Sequence, residues 1–242
     1  MSYAALKCEV AAANLALHRS GLVFLSFGNV SGVDRDAGVL AIKPSGIPYD
    51  ELTEDDIVVI SLVDGSVVEG TLRPSIDTPT HLHLYRELPS IGGVVHTHST
   101  HATAWAQAGR AIPALGTTHA DYFRGPVPVT RPLSDAEIDG EYELLTGAVI
   151  MDTLRMAERT SDDCPGILVA SHGPFTWGAG AGAAVANAIA LETIAAMAFE
   201  TLAIDANAPG VSATLLRRHH ERKHGPGASY GQPLTDGVTS RR

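Results

Sequence analysis

Apolar positions recur at helical spacing at the start of the chain. Leu6, Val10, Ala13 and Leu17 share one face of a helix predicted over 3–20, and Gly21 supplies its stop. Short β-prone runs follow at 23–25, 39–42, 57–62 and 66–68, separated by Gly, Asp and Pro, with Asp64-Gly65 as a hairpin turn between the last two. Thr78-Pro79 reads as a cap followed by proline at the first helical position, opening a helix that runs to about 88 and stops at Pro89. An apolar strand is predicted at 91–95, a helix at 101–107, a further helix within 135–157, an apolar strand at 167–170 and a long Ala-rich helix from Ala183. Strands and helices intermingle without a regular βαβ repeat or a dinucleotide glycine fingerprint. That pattern favours a mixed α/β layered fold over a doubly wound one.

The chain has 242 residues, 45% of them apolar and 18% charged, which is ample material for one core. We expect residues 1–231 to form a single domain and 232–242 a loose tail. The formal charge of −10 repels nucleic acid and anionic lipid over most of the surface, so neither is an expected partner and any bound anion needs a local nest of donors. The apolar stretch 183–204 is broken by Asn187, Glu192, Thr193 and Glu200 and reads as a buried helix. Lys7 and Glu9 interrupt the N-terminal stretch, which lacks the form of a signal peptide. Only Cys8 and Cys164 are present, in no C-x-x-C pair, and a reducing cytoplasm fits.

His96 and His98 follow the apolar run 91–95, and residues i and i+2 of a strand point to one face. His172 ends the second apolar strand, ahead of the turn Gly173-Pro174. Three neutral imidazoles suit Zn²⁺ or a similar divalent ion; the alternative is three histidines held by backbone hydrogen bonds at a crowded sheet edge. Asp77 either caps the helix that follows it or, with Thr78 as the cap, offers a carboxylate near the metal. Three polar turns could cradle an anion: Gly28-Asn29-Val30-Ser31, Lys43-Pro44-Ser45-Gly46 and Arg73-Pro74-Ser75. Each is equally ordinary turn chemistry when taken alone.

Taken together, the segments GNVSGVDR, IKPSGIPYDELTEDDIVV, RPSIDTPTHLHLYRELPSIGGVVHTHSTHATAWAQAG, IPALGTTHADYFRGPVP, GILVASHGPFTWG and RKHGPGASYGQ resemble the class II aldolase and epimerase family, most closely its pentulose-phosphate 4-epimerase branch. The likeness runs in order from about residue 26 to residue 232. It implies a three-layer α/β/α fold around a mostly antiparallel sheet, bound Zn²⁺ (with Mn²⁺ or Co²⁺ as substitutes), and a cyclic homotetramer with active sites between subunits. Carried over by position, Asp77, His96, His98 and His172 would form the metal shell. Gly28, Asn29, Lys43, Ser45, Gly46, Ser75 and Ile76 would form the phosphate pocket. This chain departs from the familiar pattern at Ile76, where such epimerases commonly carry a second serine.

The resemblance further implies that Asp121 and Tyr230 carry protons, the tyrosine from the adjacent subunit. His219 and Arg222 would reach substrate from that neighbour, with Thr117 and Glu143 in support. The implied reaction interconverts L-ribulose 5-phosphate and D-xylulose 5-phosphate by retro-aldol cleavage and re-addition, in L-arabinose breakdown. The alternative is a sugar-phosphate aldolase of the same family, such as one acting on L-fuculose 1-phosphate. The aspartate at 77, where related aldolases carry glutamate, leans toward epimerase.

Overall fold

The computed structural model describes residues 3–225 and 228. Its spine is a seven-stranded sheet of β1 (Asn29–Asp34), β2 (Val39–Ile42), β3 (Val58–Ser61), β4 (Val67–Glu69), β5 (Gly93–His96), β6 (Gly166–Leu168) and β7 (Pro174–Gly178), in the order β4-β3-β2-β1-β5-β7-β6. Every named pairing is antiparallel.

Period two sorts the sheet's side chains onto two faces. On one face Val30, Val39, Ala41, Val59 and Val95 meet α1 (Ala4–Arg19) and the first half of α7 (Ala181–Ile204). On the other, Leu40, Ile42, Val58, Ile60, Val94, Phe175 and Trp177 meet α2 (Thr78–Glu87) and α6 (Tyr142–Met156). The result is helix, sheet and helix in three layers, the mixed α/β layering that the sequence pattern favours and the arrangement that the family resemblance implies. The helix α3 (Thr100–Gln107) packs against α7, and its first backbone N–H groups, those of His101 and Ala102, donate to the Glu192 carboxylate. The remaining helices are α4 (Thr117–Ala120), α5 (Asp135–Ile138) and α8 (Ala213–His224).

Several sequence expectations need correction. Residues 23–25 are not a strand: Leu25 turns the chain with φ of 54° and is exposed, as is Phe24. The strand begins at Asn29 instead, inside the segment read as a polar turn, because Asn29 and Ser31 are buried and find partners on α2 and the turn before it. The helix expected within 135–157 is two, α5 and α6, parted at Asp139 and Gly140. His172 lies in the turn between β6 and β7 rather than at a strand end.

The long helix α7 is buried on one side only. Ile189, Met197, Phe199 and Ile204 are exposed along it. By length and composition α7 could cross a bilayer; here it packs against β5, β7, α1 and α3.

Candidate metal centre and anion cleft

β1 and β5 lie side by side with Asn29 opposite His96, so these two side chains share a face at the same end of the sheet. His98 follows two residues later, and the β6–β7 turn brings His172 to the same point. Gly173 permits that approach: a Cβ there would stand 2.6 Å from the Thr97 carbonyl oxygen. The ligand atoms of His96, His98 and His172 all lie within 4.8 Å of one another, with the Nε2 atoms of His96 and His98 at 3.1 Å.

The shell behind the trio fixes its ring orientations. His96 Nδ1 donates to the Pro174 carbonyl at 3.0 Å, which leaves the Nε2 lone pair directed at the other two rings, and the ring stacks on Phe175 at 4.2 Å between centroids. Tyr142 Oη lies 3.4 Å from His172 Nδ1. Burial, then the neighbouring His96 and His98, pushes the His172 pKa down to about 3; burial and His96 lower that of His98. Both imidazoles are therefore neutral at pH 7, the state a metal requires. A set of three nitrogen donors with one side open fits Zn²⁺ in a catalytic rather than a closed structural site.

Asp77 occupies the N-cap position of α2 but makes no side-chain cap bond. Its Oδ2 instead accepts from Asn29 Nδ2 at 2.6 Å, with Ser75 Oγ at 3.4 Å. Burial opposes its ionisation, yet His96, His81 and the Asn29 amide hold the carboxyl below its ordinary range. Asp77 lines the same cleft as the histidines without being one of the trio.

That cleft, of about 300 Å³, is also lined by Gly28, Asn29, Lys43, Ser45, Gly46, Ser75 and Ile76. All three turns singled out in the sequence contribute to it. Lys43 is only 1% exposed. Its Nζ reaches the Pro44 carbonyl at 3.4 Å and sits over the Tyr49 ring at 4.8 Å from the centroid. Among the described residues no carboxylate oxygen lies within 4.0 Å of it. Burial drops its pKa to about 8. A buried ammonium with no carboxylate partner among the described residues, beside polar turns, has the chemistry to hold an anion. Sequence reasoning missed Tyr49, Ser26 and Phe27, which complete this region; Tyr49 Oη donates to the Gly28 carbonyl at 2.9 Å, and no local motif marks it.

The remaining predicted residues fall elsewhere. Thr117, Asp121, Glu143, His219 and Arg222 do not line the cleft. Glu143 borders an adjoining groove that shares Ser75 and Ile76. Thr117 opens α4, whose following residue Asp121 is held by α8: His219 Nδ1 lies 2.9 Å from Oδ1, and Arg222 Nη2 donates to Oδ2 at 3.0 Å. Asp121, His219 and Arg222 thus form one cluster within one chain. Tyr230, and the boundary expected at 231, lie outside the described residues.

Comparison with solved structures finds the same fold repeatedly. An L-fuculose 1-phosphate aldolase superposes with a TM-score of 0.71 at 23% identity, over 92% of this chain and 97% of that one. YgbL from Escherichia coli, described as a candidate aldolase/epimerase/decarboxylase, gives a TM-score of 0.69 at 25% identity, over 89% and 97%. The L-fuculose-1-phosphate aldolase of Thermus thermophilus gives 0.63 at 22% identity, over 85% and 98%. The family model for the class II aldolase and adducin N-terminal domain matches residues 8–199, which span the three histidines, Asp77 and all three polar turns. With the three-layer fold and the histidine trio behind it, this chain belongs to the class II aldolase family.

Proposed function

We propose that this protein is a divalent-metal-dependent 4-epimerase of pentulose phosphates, interconverting L-ribulose 5-phosphate and D-xylulose 5-phosphate, with zinc as the metal. The observation that carries the reading is the joint presence, in one cleft of about 300 Å³, of three convergent imidazoles and a buried lysine with no carboxylate partner among the described residues. A small substrate with a phosphate at one end and vicinal oxygens at the other engages both at once.

The hydrogen on C4 of a 2-ketopentose is not adjacent to the carbonyl and is not acidic, so inversion there by simple deprotonation is unfavourable. Breaking the C3–C4 bond and remaking it on the opposite aldehyde face avoids the problem. His96, His98 and His172 would hold the metal, which when bound supplies Lewis-acid stabilisation of negative charge on the substrate's oxygens. Lys43, with the turns at Gly28, Ser45, Gly46 and Ser75, would hold the phosphate so that the cleaved aldehyde fragment turns without leaving. Asp77, ionised and oriented by Asn29, lies at the boundary of the two halves. Asp121 and Tyr230 would take and return the C4 hydroxyl proton, one for each epimer.

Asp121 is bound to His219 and Arg222 of its own chain and stands outside its own cleft. In our reading the three act together on the cleft of a neighbouring copy in a homotetramer. The pathway assignment, L-arabinose breakdown in the cytoplasm, belongs to the same proposal.

A sugar-phosphate aldolase is the second reading, favoured by the fold shared with L-fuculose 1-phosphate aldolase. Incubating the zinc-loaded protein with L-ribulose 5-phosphate, with a chelated control, separates the two. Formation of D-xylulose 5-phosphate without free aldehyde, lost on chelation, supports the epimerase; released aldehyde with little epimer supports the aldolase.

A further inference from the structure

Asp77, at the N-cap of α2, stands at i to the i+4 and i+8 of His81 and Tyr85 on the helix, along one stripe, and Asn29 and Ser31 stand at i and i+2 on β1, one face of a strand. The two rows are joined by side-chain rungs. Asn29 Nδ2 meets Asp77 Oδ2 at 2.6 Å; one step along, Ser31 Oγ meets His81 Nδ1 at 2.7 Å and Tyr85 Oη at 2.9 Å. Ser31, His81 and Tyr85 are each 1% exposed or less. No such polar chain is needed to fill a core; apolar residues of the same size would do so without the cost of burying an imidazole.

The rungs matter because of what Asp77 lacks. Its carboxylate does not cap α2, so its direction is set by Asn29 across the gap to β1 and by Ser75. The Asn29 bond holds only if α2 keeps its axial position and rotation against β1. His81 sits one turn above Asp77 and donates its backbone N–H to the Asp77 carbonyl, so a rung at His81 is the nearest fixed point on the same stripe. His81 Nε2 has no hydrogen-bond partner among the described residues, so the hydrogen bond that the ring makes there is the one at Nδ1, to Ser31.

The geometry points to His81, through Ser31, as a positioning residue that fixes the direction of the Asp77 carboxylate at the metal and substrate cleft. This inference rests on the proposed function, because it assigns Asp77 a task there. It predicts that the two residues act as one unit: once Asp77 is gone, His81 has nothing left to position.

The test compares wild type, Asp77→Asn, His81→Phe and the double variant, each loaded with Co²⁺, by visible absorption spectrum, turnover of L-ribulose 5-phosphate and thermal midpoint. Phenylalanine keeps the buried ring and removes the rung. His81→Phe is expected to shift the Co²⁺ bands in the same direction as Asp77→Asn and to lower kcat on the order of tenfold with KM within about twofold. The double variant is expected to match Asp77→Asn alone. Ser31→Ala removes the same rung from the strand side by deleting one oxygen, and it should reproduce the His81→Phe spectrum even if that variant folds poorly. Unchanged bands and kcat in both rung variants, or losses that multiply in the double variant, would overturn the inference. A wild-type protein that binds Co²⁺ but does not turn over the pentulose phosphate would instead sink the proposed function, while the spectral comparison still decides on His81.

Discussion

Arg222 grips the Asp121 carboxylate with two donors, Nε to Oδ1 at 3.2 Å and Nη2 to Oδ2 at 3.0 Å, and His219 adds a third contact to Oδ1 at 2.9 Å. Burial opposes ionisation of Asp121, but these bonds outweigh it and hold its carboxyl below the ordinary range. A carboxyl with a depressed folded pKa contributes stability above its unfolded pKa and loses it as pH falls through the folded value. Removing Arg222 should therefore move the Asp121 titration upward. In Arg222→Ala the acid limb of the pH–rate profile is expected at higher pH than in wild type. An unchanged acid limb would mean that Asp121 does not govern it.

Lys43 gives a sharper test because its effects on stability and function have opposite signs. Its folded pKa of about 8 lies below the ordinary 10.5, so the unfolded chain holds more protons than the folded one between those values. Stability should therefore rise as pH climbs from 8 to 10.5, and at pH 7 the buried charge costs on the order of 3 kcal/mol. Lys43→Met is expected to raise the thermal midpoint of the ligand-free protein and to flatten that pH dependence. The same variant should lose inorganic phosphate binding. A lower midpoint in phosphate-free buffer would show that the ammonium has a stabilising partner.

Much of this was legible in the sequence because period and punctuation agree with burial. The spacing of His96 and His98 after an apolar run does bring the two rings together, although β5 ends at His96 and His98 lies beyond it; α2 opens one residue earlier than expected, with Asp77 rather than Thr78 at the N-cap position and Pro79 second in the helix. What failed to show was polar residues taking core positions. Asn29 and Ser31 read as a turn because their composition is that of turns, and only their partners on and before α2 make them a buried strand. Tyr49 under Lys43 and Asp121 against α8 depend on contacts between distant segments, for which no local pattern exists.

Ile76 tests how much the second hydroxyl matters in the anion cleft. Its side chain is 69% exposed beside buried Ser75, so a polar replacement disturbs no core. Ile76→Ser adds one donor at the cleft wall. We expect KM for the phosphorylated sugar to fall by about 2- to 10-fold, the value of one hydrogen bond, with the thermal midpoint unchanged. Equal KM values would place the phosphate out of reach of residue 76.

Gly28 joins the loop before β1 to both halves of the cleft. It has φ of +77°, and a Cβ there would stand 2.7 Å from Val23 Cγ1 and 2.9 Å from the His96 carbonyl oxygen. Gly28→Ala is expected to destabilise by about 1–3 kcal/mol from the backbone conformation, before the contact with His96 is counted. Denaturant melts measure the loss, and metal content per chain should fall with it because the displaced strand carries His96.

Metal removal discriminates between a catalytic and a structural role for the histidine trio. His96 is 2% exposed and braced from behind by Pro174 and Phe175, and the large apolar core cluster beside it is built from side chains that include none of the three histidines. The apo protein should therefore stay folded, with the far-ultraviolet spectrum of the holoprotein. Saturating zinc should raise stability only by mass action, about 2.7 kcal/mol at roughly a hundredfold excess over Kd. His96→Ala should abolish that increment together with turnover, while leaving the fold intact. Unfolding on chelation would instead assign the metal to the structure, because a site that builds the fold cannot be emptied without losing it.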